Sequence, residues 1–212
     1  MPHPHLPRRQ SGFTLIEIAI VLVIIGLLLG GILKGQELIN SARVKNLAAD
    51  FRNVPLYIYG YQDKFRALPG DDKAADAHVG TDSVKAKNGD GNGVIGGAWD
   101  STGEGHESVL FWQHVRLAGL APGPTSLAAE DFQPRNAVGG IIGIQSEAPF
   151  EGINGTYFVC SGSIAGKFAK QLDTQLDDGN TATGSLMVGT GNKAEATDEI
   201  VDANTYTVCM GI

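Results

Sequence analysis

A chain of 212 residues, 42% of them hydrophobic, has the length for one ordinary globular domain and one apolar anchor, with no second domain required. With 23 acidic against 16 basic side chains the net charge is −7, which argues against a general nucleic-acid binder, whose affinity needs basic groups to displace counterions. Most of the 29 glycines lie beyond residue 69, which predicts short strands joined by many turns.

In chain order, the first element is the apolar run from Phe13 to Leu33. Its 21 residues contain one ionisable group, Glu17. As a helix rising about 1.5 Å per residue the run spans roughly 31 Å, one bilayer crossing. An acid costs up to about 3 kcal/mol at the centre of such a helix and less near its end, where Glu17 lies, so the position calls for a partner. Upstream stand Arg8 and Arg9 without any acid, which predicts a cytoplasmic N-terminus and export of the remainder. A cut between Gly12 and Phe13 would create an α-amine able to pair with Glu17, in the same chain or across to a neighbour. A secretory signal has an apolar core of about 7 to 15 residues ending in a small-x-small site, and neither condition is met. An ordinary single-span anchor shares the flanks but leaves Glu17 beside Gly12-Phe13 without a role.

The run Gly12-Phe13-Thr14-Leu15-Ile16-Glu17, behind a short basic leader and ahead of an unbroken apolar helix, resembles the processing signature of type IV prepilins and the related type II secretion pseudopilins. The resemblance covers roughly the first 35 residues. It implies that a membrane aspartyl peptidase, the prepilin peptidase, cuts after Gly12 and methylates the new N-terminal Phe13. It further implies that Glu17 aids docking of an incoming subunit by meeting the Phe13 amine of a subunit already in a filament. The implied organisation is a leader over 1–12, a transmembrane assembly helix over 13–35, its amphipathic continuation over 36–68 and a globular pilin-like domain over 69–212. Many members place a proline about 22 residues into the mature chain, where this sequence has Lys34. Less melting or bending is therefore implied there, or its transfer to Gly30, Gly31 and Gly35. Loss of the leader leaves 14 basic against 23 acidic residues, a net charge of −9.

Beyond the membrane, Val44, Leu47, Phe51, Val54, Ile58, Tyr61, Phe65 and Leu68 recur at steps of three and four, which predicts one apolar stripe on a continuing helix. Pro55 removes a backbone donor and predicts a kink near residues 51–55. Leu68-Pro69-Gly70-Asp71 predicts the helix end. Gly26-x-x-x-Gly30 and Gly31-x-x-x-Gly35 are of the kind that lets membrane helices approach closely, and are also frequent without that role.

Residues 69–105 read as polar and irregular. Within them Asn88-Gly89-Asp90-Gly91-Asn92-Gly93-Val94-Ile95 resembles the first eight positions of an EF-hand-type calcium loop, with oxygen side chains of Asn88, Asp90 and Asn92 at alternate positions. The twelfth position is Trp99 where a bidentate Glu is expected, and Asp100, Glu104, Asp71 or Asp72 would have to supply the charge. The competing reading is a turn built from Asn-Gly and Asp-Gly pairs. Calcium is the one cofactor these residues suggest.

A buried helix is expected from Glu107 to Leu120, closed by Gly119 and Pro122, with Trp112 in the core. Strands are expected at Gly140–Gln145, Thr156–Cys160, Ser185–Val188 and Thr205–Met210. Ile164, Phe168, Leu172 and Leu176 at i+4 spacing predict an amphipathic helix ending at Asp177-Asp178-Gly179-Asn180, where Asp173, Asp177 and Asp178 form a second cation candidate. The two cysteines, Cys160 and Cys209, lie outside the cytoplasm in this topology and are expected to form a disulfide. Closing a loop of about 50 residues would stabilise the fold by roughly 3 to 4 kcal/mol.

His78, His106 and His114 show no metal-ligand spacing and are expected to be exposed or hydrogen-bonded. No nucleophile elbow, phosphate-binding glycine loop or Cys-His pairing is present, so an enzyme is not expected. The fold class expected is α+β, a long N-terminal helix on a domain with a small antiparallel sheet and two lesser helices. The function expected is a structural subunit, a major or minor pilin, that polymerises through its N-terminal helix. Its partners would be the prepilin peptidase, copies of itself and other pilins, and the assembly machinery of the inner membrane, where it is a single-pass protein before entering a surface filament. A pseudopilin of a type II secretion system in the periplasm is the alternative, and a membrane-tethered adhesive or binding module a further one.

Overall fold

In the computed structural model, which describes residues 12–191 and 195–212, α1 is a single helix of 51 residues, Leu15–Phe65. The chain divides into two compact units, Met1–Ser41 and Ala42–Ile212. In the first, every side chain from Phe13 to Leu33 is exposed, and the helix is long and apolar enough to cross a membrane. In the second, Val44, Leu47, Ala48, Phe51, Val54, Ile58 and Tyr61 are buried, at the three- and four-residue steps that put them on one face. The helix continues through Pro55 and stops where Arg66 turns left-handed at φ 56°, three residues before Pro69.

The rest of the second unit is α2 (Ala75–His78), α3 (Glu107–Leu117), β1 (Ile142–Gln145), β2 (Phe158–Ala165), α4 (Gly166–Leu176), β3 (Leu186–Gly189) and β4 (Thr205–Gly211). The fold is thus α+β, with a four-stranded sheet in the order β1-β2-β4-β3 whose neighbours are all antiparallel. Its faces separate by the two-residue strand period. Val159, Leu186, Val188 and Val208 point into the main core with α1, α3 and α4, while Phe158, Cys160, Met187 and Cys209 point to a smaller core closed by Trp99, Phe150 and Ile153. Burying side chains such as Leu47 and Phe51 contributes about 1.5 to 3 kcal/mol each.

Two expected elements have shifted bounds: the helix α4 lacks Ile164, and α3 ends at Leu117 and not Leu120, closed by Gly119 as expected. Ile164 belongs to β2 and not to the following helix: a bulge between Ser161 and Ile164, with Ser163 at φ 58°, shifts the strand by one position and returns Ile164 to the main core. Its burial therefore matches the helical spacing of Phe168 and Leu172 although its backbone is extended. The helix α3 ends in a Schellman motif, Gly119 N–H to Arg116 C=O (3.0 Å) and Leu120 N–H to Val115 C=O (2.9 Å), with Gly119 at φ 74°.

Candidate functional site

The head of α1 carries the residues singled out for processing and assembly. Thr14 is the residue before the helix, and the Glu17 Oε2 accepts both the Thr14 N–H and the Thr14 hydroxyl at 2.8 Å, while Thr14 Oγ1 accepts the Glu17 N–H at 3.4 Å. This is a reciprocal capping box, Thr-x-x-Glu. In lipid, where no water meets the free N–H groups of a first turn, such a cap matters more than in solution. Phe13 is exposed, and a Cβ on Gly12 would touch nothing. The spacing of Thr14 and Glu17 was the signal for the cap, and reading Glu17 only as a charge missed it.

The irregular stretch between α1 and α3 is held by buried polar side chains. Asp71 Oδ1 and Oδ2 accept the N–H groups of Asn92 and Gly93 at 2.8 Å, and Glu107 Oε1 and Oε2 accept those of Asp90 (3.0 Å) and Gly96 (2.8 Å). Asp71, Asp90 and Glu107 each bring one carboxylate oxygen within 4.8 Å of the others. The structure therefore gathers Asp90 with Asp71, and adds Glu107, which no loop pattern pointed to. Asn92 stays beside them, its Nδ2 donating to Asp90 Oδ2 at 2.8 Å, but its Oδ1 accepts the Val94 N–H at 2.8 Å, and Asn88 Oδ1 accepts the Asp76 N–H at 2.9 Å. Gly93, at φ 87°, makes the turn. Both buried carboxylates are satisfied by backbone donors, which is what a loop clasp requires.

Next to this clasp, Asp72 accepts hydrogen bonds from the Tyr61 hydroxyl (2.7 Å) and the Ala74 N–H (2.9 Å) and contacts His78 Nδ1 at 2.7 Å. Burial raises its pKa, but the bonds from His78, Ala74 and Tyr61 outweigh that and hold the carboxyl below its ordinary value. His114 is fully buried; its Nδ1 accepts the Gly70 N–H at 2.9 Å and its Nε2–H donates to the Lys87 carbonyl at 2.7 Å. Those two bonds define a neutral ring, and burial depresses its pKa.

The second acidic group lies where α4 ends. Asp173 is fully buried and neither of its carboxylate oxygens has a hydrogen-bond partner. Burial, then Asp178 and Asp177, push it up to about 6. One oxygen from each of Asp173, Asp177 and Asp178 lies within 4.8 Å of the other two. Cys160 and Cys209 are disulfide-bonded and stand directly opposite in the β2–β4 register, with Cα atoms 4.1 Å apart. That short separation is the spacing of a non-hydrogen-bonded antiparallel pair.

No curated protein and no solved structure matches the chain. Residues 7–33 match the family described as "Prokaryotic N-terminal methylation motif". Across those residues, then, the chain carries the signature of prepilins and pseudopilins.

Proposed function

We propose that this chain is a prepilin whose mature form, beginning at Phe13, polymerises through α1 into a type IV pilus-like filament. The reading is carried by the methylation motif over residues 7–33 at the head of a helix whose side chains from Phe13 to Leu33 are all exposed. An apolar face of that size needs lipid, and later other helices of its kind. The prepilin peptidase removes residues 1–12 and methylates Phe13. The new amine then meets Glu17 of an incoming subunit, which offsets the cost of an acid in lipid and sets the axial register between neighbours. Before assembly the chain crosses the inner membrane once, with residues 1–12 inside and the second unit in the periplasm. Lys34 stands where many family members bend at proline, and its 2.7 Å ion pair with Glu37 favours a helix continuous through that position.

The capping box makes the test sharper, because Glu17 has a local task besides the one proposed. Glu17→Gln keeps an oxygen for the Thr14 N–H and removes the charge, whereas Glu17→Ala removes both. Both variants are expected to be cleaved and inserted normally and to be absent from sheared filaments, with incorporation reduced at least about tenfold, as loss of an ion pair worth 1.4 kcal/mol or more would give. If Glu17→Gln assembled like the wild type, the charge pairing would be wrong and the cap would be the residue's whole role. Deleting the gene distinguishes the filament's kind: loss of surface fibres supports a pilin, and loss of enzyme export with fibres intact makes the chain a pseudopilin.

A further inference from the structure

The C-terminal end of α4 concentrates negative charge in a way the protein's own described residues do not balance. Asp173 sits in the last turn, with no exposed surface and with both carboxylate oxygens lacking a donor. Its neighbours are already half committed. Asp177 Oδ2 accepts the N–H groups of Ser185 (2.7 Å) and Leu186 (2.8 Å), and Asp178 Oδ1 accepts that of Asn180 (2.8 Å). The last turn of α4 holds no basic side chain, and the free carbonyls of a helix C-terminus add negative potential of their own. Among the described residues no Lys, Arg or His forms an ion pair with any of the three acids. A buried carboxylate without donor or counter-charge is among the costliest arrangements a fold can hold, and an unexplained one asks for a missing partner.

The chemistry of that partner follows from the donors. Three carboxylates and adjacent carbonyls, with no nitrogen or sulfur, select a hard cation over zinc or copper. Oxygens lying within 4.8 Å of one another fit around one ion bonded at about 2.3–2.6 Å, and a flexible loop suits calcium better than the rigid octahedron of magnesium. We propose that Asp173, Asp177 and Asp178 form a calcium site that joins the end of α4 to the start of β3. Asp177 is its hinge: one oxygen is fixed to the β3 backbone, and the other is free to face the ion. The Asp71, Asp90 and Glu107 group differs in the decisive respect, since its two buried carboxylates are satisfied by backbone N–H groups. It serves as the internal control.

The experiment uses the full chain in detergent, stripped with chelator, titrated with calcium chloride by calorimetry and melted with and without the metal. The wild type is expected to bind one calcium per chain saturably and to melt higher with it, with magnesium giving a smaller shift. Asp173→Asn is expected to lose the calcium response and, in chelator, to melt above the wild type, because a neutral amide replaces an uncompensated charge. That reversal of order is peculiar to a cation site; an acid that is merely protonated gives a stabilised variant with no calcium effect in either protein. Asp178→Asn, at an exposed position, is expected to weaken binding tenfold or more without disturbing the fold. Asp90→Asn is expected to keep the response. Absence of heat and melting shift in the wild type at about 10 mM calcium, ten times the weakest dissociation constants usual for extracellular sites, would overturn the proposal. So would a calcium response that survives Asp173→Asn and Asp178→Asn.

Discussion

His114 shows what a single residue does for this fold. It ties the start of the irregular stretch, at Gly70, to its middle, at Lys87, and it stacks on Tyr61 with ring centroids 6.0 Å apart. Both its nitrogens are used only while the ring is neutral. Because burial depresses its pKa below 6.5, the stability it gives is complete above pH 6.5 and is lost as the pH falls through the folded value, where the unfolded chain takes up a proton that the folded one resists. Asp50 and Asp173, both raised to about 6, act in the opposite sense, losing stability as the pH rises from 3.8 through 6. The His114 contribution is therefore read as a difference. His114→Gln is expected to be less stable than the wild type by about 1 to 3 kcal/mol at neutral pH, as for a buried pair left half satisfied, and urea midpoints should converge as the pH drops toward 5. A gap independent of pH would mean that the ring is not held neutral.

At the scale of elements, the disulfide and the sheet explain each other. Cys160 and Cys209 face the smaller core, where Trp99, Phe150 and Ile153 close over them. Gly143 in β1 lies so close to the Trp99 carbonyl that a Cβ there would overlap it, which holds the 99 region down on that face. With a sequence separation of 49, the cysteines are expected to contribute about 4 kcal/mol by restricting the unfolded chain, so that Cys160→Ala/Cys209→Ala should lose that amount in urea denaturation. An unchanged midpoint would show that strand pairing alone sets the sheet's stability. These elements were unequally legible. The stripe from Val44 to Tyr61 was plain because the helical period persists over five turns. Ile164 misled because a bulge gave an extended residue the burial of a helical one. The four residues of α2 carry no period at all and are placed by Asn88 and Asp72 from outside the element. Glu107 joins Asp71 and Asp90 only through folding, so no local spacing announced it, whereas Asp173, Asp177 and Asp178 are close in sequence and their grouping was visible while the unpartnered state of Asp173 was not.

For the whole molecule, the two ends of α1 obey different solvents. Up to Leu33 the helix is apolar on every side, the pattern of a segment that hydrocarbon can surround, and from Val44 onward one apolar face is buried while the other faces are mostly polar, with Leu56 and Tyr59 exposed. On the function proposed above, such a subunit would be held in the membrane until it assembles, and the N-terminal amine that the proposal relies on would exist only after cleavage before Phe13. The measurement that reaches this most directly is mass spectrometry of the N-terminal peptide of the native protein. The account predicts a chain that begins at Phe13 with a methylated α-amine. A native protein that retains Met1, or one cut anywhere other than between Gly12 and Phe13, would contradict it.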